Sequence, residues 1–394
     1  MLRFASPPTR DMTLSDLGVA LLNFVVAAQR KENLIVRIED TDKEKNIEGK
    51  DQEILDILAL FGIEYSQVNY QSQNYRFHSA MALDLLHKKK AFNCFCPLRE
   101  SDERYDGTCQ ELPAELVIDN PNPFTVRIKT SHPEMLDSFI ILHQDKTPTY
   151  DFASAVDDML SDISLVVFQD SYKTNALKQE CIREALGYDK KIAYLYMPSF
   201  LNETPSIKSL LEEGFLPSAI SNYLISFASK TPTEIFTIQE AIEWFGEEML
   251  RDTPERFDKE KLLSINREHL KMMDPKELSR YVGFADEEIG KLARLYLEEA
   301  ATTKELREKM KPIFEEKEIP KELEESAQRV RSVIQKAPYF ETYDEFKSYV
   351  AKETTLQEEH LVKVLRLLLS GAEHGPDLSQ IYAHGKNYLG EIVK

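Results

Sequence analysis

With 394 residues, 42% hydrophobic and 30% charged, 13 Gly and 18 Pro, the chain has the make-up of a globular protein of two to four domains and excludes a collagen-like, low-complexity or disordered one. A formal net charge of −19 opposes general affinity for nucleic acid, so any RNA contact has to be a local positive patch. Four cysteines are too few for a disulfide framework, no apolar run reaches the roughly 20 residues of a bilayer span, and the N-terminus lacks a signal-peptide pattern, which together predict a cytoplasmic protein with no membrane partner.

In chain order, the apolar spacing predicts a helix over Leu14 to Arg30, then a strand in the β-branched run Leu34 to Ile38. That β-α-β opening implies a parallel sheet. A helix from about Gly49 to Phe61 ends at Gly62, a usual C-cap residue, and helical spacing returns over Tyr75 to Lys90. From Pro97 to Pro148 the chain turns to short extended pieces, with Pro113, Pro121, Pro123 and Pro133 interrupting any long helix, as expected of an insertion. Helices at Phe152 to Leu160 and Asn175 to Leu186 flank a strand at Ile163 to Phe168, where the first sheet resumes. Beyond Lys208 the spacing is helical, in Ile207 to Leu211, Pro217 to Ala228, Thr237 to Phe245, Lys291 to Ala300 and Gln357 to Leu369. The Glu/Lys-dense stretch Lys304 to Glu325 reads as a solvated helical face.

Several short blocks stand out in this frame. They are Arg3-Phe4-Ala5, the hexapeptide Arg37-Ile38-Glu39-Asp40-Thr41-Asp42, Tyr70-Gln71-Ser72, Tyr150-Asp151-Phe152-Ala153 with Val156-Asp157-Asp158, Leu210 to Pro217, Phe257-Asp258 with Lys261-Leu262, Asn266 to Leu270, and Leu365 to Pro376. In this order they resemble a bacterial glutamyl-tRNA synthetase of class I over nearly the whole chain. The resemblance implies an α/β fold: a class I Rossmann-like domain with an α+β insertion, followed by all-helical domains. The expected division is 1–70 with 148–208 for the catalytic-type domain, 71–147 for an acceptor-stem-binding-like insertion, 209–280 for a stem-contact-like domain and 281–394 for an anticodon-binding-like domain.

The same resemblance exposes departures at the positions that should handle ATP. Such enzymes activate the amino acid at the α-phosphate of ATP, largely by positioning and by stabilising charge on phosphate oxygens. Their HIGH-type motif falls on Thr13-Leu14-Ser15-Asp16, so an imidazole donor has become a hydroxyl and a glycine has gained a side chain. Asp16 either sets a carboxylate where polyphosphate would lie or acts as an acidic first-turn residue that suits the helix dipole. The Gly before the motif is Arg10. The lysine-rich KMSKS-type loop has no counterpart, because Leu201-Asn202-Glu203 runs through Thr204-Pro205-Ser206 into Ile207-Lys208. Where the family carries R-G-E-D-H, this chain has Phe168-Gln169-Asp170-Ser171-Tyr172, and Phe168 cannot make a charge-assisted bond to an α-carboxylate. At a few kcal/mol each, three such losses would suppress turnover by many orders of magnitude.

Arg3, Glu39 and Tyr150 match the glutamate-binding positions, Arg3 for the side-chain carboxylate and Glu39 for the amino group; the other reading of Arg37, Glu39, Asp40 and Asp42 is a salt-linked turn at the sheet edge. Phe168 and Tyr172 are degenerate substrate positions. Cys94-x-Cys96 with Cys109 resembles a zinc knuckle whose fourth ligand would be Glu111 or Tyr105, and the alternative is three reduced thiols; Cys181 and His374 read as structural. The expectation is therefore a glutamyl-tRNA synthetase-like pseudoenzyme that no longer activates glutamate with ATP and keeps tRNA or a protein, such as an active synthetase paralogue, as partner. The alternative is an active, divergent glutamate–tRNA ligase. New chemistry at Asp11, Asp16, Asp170 or Tyr172 is a third class, with no assembled constellation behind it.

Overall fold

The computed structural model describes residues 1–97, 105–130 and 136–394. Pro133 lies outside the described residues. The chain forms two compact units, Met1–Lys208 with Leu224–Phe257, and Ser209–Tyr223 with Asp258–Lys394.

The first unit begins with β1 (Leu2–Ser6), α1 (Leu14–Arg30), β2 (Leu34–Ile38), α2 (Lys50–Leu60), β3 (Gln67–Tyr70) and α3 (Tyr75–His87). The inserted segment follows as β4 (Ala91–Cys94), α4 (Ala114–Ile118), β5 (Thr125–Ile128) and β6 (Ile140–Leu142). It then returns through α5 (Tyr150–Leu160), β7 (Leu165–Gln169), α6 (Lys173–Leu186) and β8 (Ala193–Met197). The principal sheet has the order β3-β2-β1-β7-β8 with every neighbouring pair parallel. Its central strands read as near-continuous apolar runs because both faces are covered. The order reverses at β1, between β2 on one side and β7 on the other, which is where open parallel sheets leave a crevice at the carboxyl ends of their strands. A separate antiparallel sheet, β4-β5-β6, carries the insertion and packs Val126, Ile128 and Ile141 with Leu85, Phe152 and Ile182.

Helices α1, α5 and α6 occupy the stretches expected from periodicity, with bounds shifted by up to two residues. Strands β3 and β8 carry no strong alternation, so the sequence pattern alone does not reveal them. They are the sheet's two edges, where packing on neighbours decides strand formation more than local propensity does.

In the second unit the helical pattern continues as expected, through α7 (Ile207–Glu212) and α8 (Pro217–Ala228), both of which the division crosses. After α9 (Ile238–Trp244), which belongs to the first unit, come α10 (Lys259–Met272), α11 (Pro275–Tyr281), α12 (Glu287–Arg294), α13 (Thr303–Phe314), α14 (Glu324–Ile334), α15 (Tyr343–Thr354) and α16 (Glu358–Ser370). The expected helix at Lys291 to Ala300 leaves the α conformation after Arg294. Thr302 has to cap α13, and buried Asn266 fixes the approach by donating to the Ala301 carbonyl while accepting the Leu216 N–H at 2.7 Å. One part of the Lys304 to Glu325 stretch departs from a solvated face. Lys317 is buried, and its Nζ donates to the carbonyls of Pro312, Ile313 and Glu315 at 2.6–2.9 Å beyond the end of α13. Burial, with Arg331 nearby, lowers its pKa to about 8. Among the described residues no helix is long and apolar enough to cross a membrane.

Candidate functional site

Two groups of side chains meet at the carboxyl end of the parallel sheet: the head of α1, and an ion-paired chain that runs from β1 through β2 and α5.

At the head of α1, Thr13 is the N-cap residue in an extended conformation. The sequence Thr-x-x-Asp closes a capping box. Thr13 N–H donates to Asp16 Oδ2 at 2.9 Å, Thr13 Oγ1 donates to the same oxygen at 2.8 Å, and Asp16 N–H returns to Thr13 Oγ1 at 3.4 Å. Arg10 then clamps that carboxylate with both end nitrogens, at 2.6 and 3.0 Å, and reaches the Asp11 carbonyl at 3.2 Å. The Asp16 hydrogen bond and charge raise the pKa of Arg10. Leu14 is fully buried and points away from this surface, while the backbone on the other side is paired: Thr13 bridges Ser206, and Ile207 N–H donates to the Met12 carbonyl at 2.9 Å. At this helix N-terminus, the kind of place where free N–H groups make a phosphate site, the Thr13 N–H and hydroxyl already face the Asp16 carboxylate and the Asp16 N–H is taken by Thr13 Oγ1.

The second group is buried. Arg3 grips Asp158 through Nε and Nη2 at 3.1 and 3.3 Å, and Arg37 reaches the same carboxylate at 2.6 Å. Arg37 also pairs with Glu39 at 3.1 Å, and Glu39 accepts from Ser154 at 3.4 Å. Burial alone would push the Asp158 carboxyl up, but the two guanidinium groups hold it below the usual range. Arg37 is likewise opposed by burial and outweighed by Asp158, Glu39 and Asp157, so its pKa is raised. The hexapeptide continues outward, with Asp40 accepting from Ser72 N–H and Oγ at 2.8 and 2.6 Å and Asp42 paired to Lys45 on the surface.

Phe168, at the end of β7, is buried in an aromatic ladder. Its ring stacks on Tyr172 at 5.8 Å and on Tyr194 at 6.0 Å, Tyr194 stacks on Tyr196, and the Arg3 guanidinium carbon lies 5.3 Å from the Phe168 centroid. Tyr150 meets Tyr172 edge-on at 6.5 Å. These two remain open to solvent, 37% and 40% exposed. The Tyr150 hydroxyl is pushed up by desolvation and then by Glu39, with Arg3 and Arg37 pulling the other way. Tyr172 is raised by burial, then by Asp16 and Glu39, with Arg10 opposing. The structure thus brings Arg3, Glu39, Tyr150, Phe168 and Tyr172 to one place, with Thr13 and Asp16 at its rim. Of the residues considered for new chemistry, each has a partner of its own: Asp11 with Lys50, Asp16 with Arg10, Asp170 with Lys173 at 2.8 Å, and Tyr172 with Phe168.

Sequence reading left out several members of this site. Asp158 joins the two arginines, and Asp157 next to it accepts from Gln71 and Asn74 at 2.9 Å and meets His78 Nε2 at 2.8 Å, tying the start of α3 to α5. The available signal was a pair of adjacent acids inside an apolar helix, matched by arginines inside apolar strands. Tyr194 and Tyr196 lie on the edge strand that the pattern did not reveal.

In the insertion, the Sγ atoms of Cys94, Cys96 and Cys109 lie within 4.8 Å of one another, with Cys96 and Cys109 3.5 Å apart. Zinc–sulfur bonds of about 2.3 Å in a tetrahedron put sulfurs roughly 3.8 Å apart, so the three thiols fit a zinc ion. Tyr105 supplies the nearest further donor: its Oη lies 3.9 Å from Cys94 Sγ and accepts the Cys109 N–H at 2.9 Å. Glu111 is turned outward to Lys129 at 3.2 Å. Burial and the neighbouring sulfurs push Cys96 up to about 12, a repulsion that a divalent cation between them would remove. Cys181 is buried in α6 and His374 is exposed in its turn.

Comparison with known proteins agrees with this architecture. The family model described as tRNA synthetases class I (E and Q), catalytic domain, matches residues 1–129 and 112–264. Glutamate–tRNA ligase 2 of Sulfurimonas denitrificans is 56% identical, and Glutamate–tRNA ligase 1 of a Nitratiruptor species 43% identical, each over the full length of both chains. Both alignments run over 432 residues and take in all 394 here, so each relative carries residues with no counterpart in this chain. Among solved structures, a glutamate tRNA ligase from Elizabethkingia meningosepticum in complex with its amino acid superposes with a TM-score of 0.79 at 20% identity, covering 100% of this chain and 99% of that one, which is a likeness of fold.

Proposed function

Because the chain belongs to the class I family of glutamyl- and glutaminyl-tRNA synthetases, we propose that it is a non-catalytic member which has given up ATP-dependent activation of glutamate and keeps tRNA as its ligand. The observation that carries this reading is the closed head of α1. A triphosphate arriving there meets the Asp16 carboxylate, which already holds the Thr13 N–H, the Thr13 hydroxyl and both end nitrogens of Arg10. Displacing those bonds costs a few kcal/mol, and like-charge repulsion adds to it. The short passage from Leu201 to Ser206 supplies no mobile lysine, and Lys208 is an exposed position on α7.

On this reading Arg3, Glu39 and Tyr150 are the remnant of an amino-acid site, Phe168 and Tyr172 its altered wall, and Thr13 to Asp16 a disarmed ATP motif. Residues 1–70 with 148–208 form the catalytic-type domain, 71–147 the acceptor-stem-binding-like insertion, 209–280 the stem-contact-like part and 281–394 the anticodon-binding-like part. Zinc, held by Cys94, Cys96 and Cys109 with Tyr105, would serve to fix the insertion's fold, and the protein would act in the cytoplasm. ATP–pyrophosphate exchange with glutamate and tRNA is the test: no exchange above background is expected, and clear turnover would refute the reading. Binding to tRNA should weaken steeply with salt; a flat response points instead to a protein partner such as an active paralogue. A second reading, an active and divergent ligase, is favoured by the 56% identity to a glutamate–tRNA ligase, and tight binding of a glutamyl-adenylate analogue would support it.

A further inference from the structure

The last strand of the principal sheet leaves one side open. Among the described residues β8 pairs with β7 alone, in the register Leu165↔Ala193 to Gln169↔Met197, and Ala193 N–H donates to the Ser164 carbonyl at 2.9 Å. In a parallel ladder alternate residues turn both backbone groups to the same neighbour. Ala193, Leu195 and Met197 therefore bond to β7, and the N–H and C=O of Tyr194 and Tyr196 point out from the sheet. Nothing among the described residues takes those four groups.

Exposed edges normally carry a charge, a proline or a bulge that discourages pairing. β8 has none of these: it reads Ala-Tyr-Leu-Tyr-Met, and its register with β7 is unbroken. The opposite edge, β3, reads Gln-Val-Asn-Tyr, with Gln67 exposed. β8 is also held firmly on both faces. Tyr194 and Tyr196 stack in the Phe168 ladder, Arg183 donates to the Tyr194 hydroxyl, and Lys173 Nζ lies 5.2 Å from the Tyr196 ring centroid. On the other face, a Cβ on Gly18 would come within 2.9 Å of Met197 Sδ. The open backbone is thus presented to a partner at little ordering cost.

The order of residues in β8 says what fits it. Tyr-Leu-Tyr reads the same in both directions, so a second β8 laid antiparallel about a two-fold axis at Leu195 sets each Tyr194 opposite a Tyr196. These are the residues with outward groups, and opposed residues of that kind exchange both N–H···O bonds. Leu195 then faces its own counterpart at the closely spaced position, and small Ala193 meets larger Met197. Although the chain carries a net charge of −19, no charged residue lies in the paired stretch. Such a contact uses the same patch on both copies and closes at two.

We propose that β8 pairs antiparallel with the β8 of a second copy of this chain, on a two-fold axis at Leu195, and so joins the two principal sheets into one. A single short strand buries less than a standard interface, so the dimer is weak and concentration-dependent. The pairing is independent of whether the chain activates glutamate.

Analytical ultracentrifugation of the full chain across the micromolar range reads the prediction directly, and a monomer–dimer equilibrium is expected. Leu195→Lys and Leu195→Asp should each weaken self-association at least about tenfold, because like charges then stand opposite one another. Their equimolar mixture should recover the dimer, since a two-fold axis at Leu195 sets lysine against aspartate. Should either charge at this half-buried position prevent folding, Leu195→Cys keeps the strand apolar. The Cα atoms of an opposed antiparallel pair lie about 4.5–5.5 Å apart, within disulfide reach. Oxidation should therefore cross-link Leu195→Cys into dimers and leave wild type and Ala193→Cys as single chains. A monomer at every concentration, a dimer indifferent to charge at Leu195, or a mixture of the two charged variants that stays monomeric overturns the proposal. So does cross-linking of Ala193→Cys as readily as of Leu195→Cys.

Discussion

Asp16 and Asp158 are both carboxylates clasped by arginine, yet they sit in opposite surroundings. Asp158 is fully buried between Arg3 and Arg37, whereas Asp16 lies at a helix head under an Arg10 that is 51% exposed. A buried pair is weak evidence of net stabilisation, but breaking one side of it strands a charge away from water. An exposed pair can be exchanged at little cost. The contrast predicts that Arg3, Arg37 and Asp158 cannot be changed singly without a large loss of stability, while Arg10 and Asp16 can.

The sharpest way to break this comparison is Asp158→Ala, which strands two buried guanidinium groups. The expected loss is about 3–5 kcal/mol, read from urea unfolding. Asp158→Asn should cost less because a hydrogen-bond acceptor remains. A loss under about 1 kcal/mol for the alanine variant would mean that the ion-paired chain is reached by water.

The same group sets an acid limit. The carboxyl of Asp158 is depressed in the folded chain, so the folded state binds fewer protons than the unfolded one. Its contribution is fully present above the ordinary carboxylate value of about 3.9 and is lost as pH falls through the lower folded value. The stability gap between wild type and Asp158→Asn should stay constant above about pH 5 and narrow below pH 4. A gap that closes near neutral pH would contradict the depressed value.

Asp16→Ala, in comparison, should cost about 1 kcal/mol, the usual worth of a helix cap. Part of it is the solvent-facing pair with Arg10, so the difference from wild type should shrink in 1 M salt, where the Debye length falls to about 3 Å. The Asp158→Ala deficit should be little altered by the same salt. Equal salt sensitivity in the two variants would erase the distinction between them.

Much of the first unit could be read from sequence. The 17-residue α1 has strong apolar spacing and a Thr-x-x-Asp start, so both its position and its cap were legible in outline. Whether Asp16 faced phosphate or capped the helix was not, because both readings place an acid in the first turn, and only the positions of Arg10 and Ser206 separate them. The arginines of β1 and β2 stand out in the sequence through the family resemblance. Their common partner was missed because it lies 155 residues from Arg3 along the chain, a distance over which pattern carries no pairing information. Lys317 shows the limit in the other unit. A lysine in a Glu/Lys-rich run looks solvated until the chain turns it under the carbonyl end of α13, where three acceptors need a donor.

The smallest expected effect lies at the opposite end of α1, which ends on Lys31 in the left-handed region at φ 55 and ψ 37. Its N–H closes the helix on the carbonyls of Ala27 and Ala28, a position where glycine is the usual residue because a Cβ crowds the backbone. Lys31→Gly trades that strain for greater freedom of the unfolded chain, so the net gain should be no more than about 0.5–1 kcal/mol. Because this end is remote from Arg10, the gain should add to the Asp16→Ala loss within about 0.5 kcal/mol in the double variant. A larger departure from additivity would mean that the two ends of α1 are coupled, and that the head of the helix is not the independently exchangeable feature that its exposed ion pair implies.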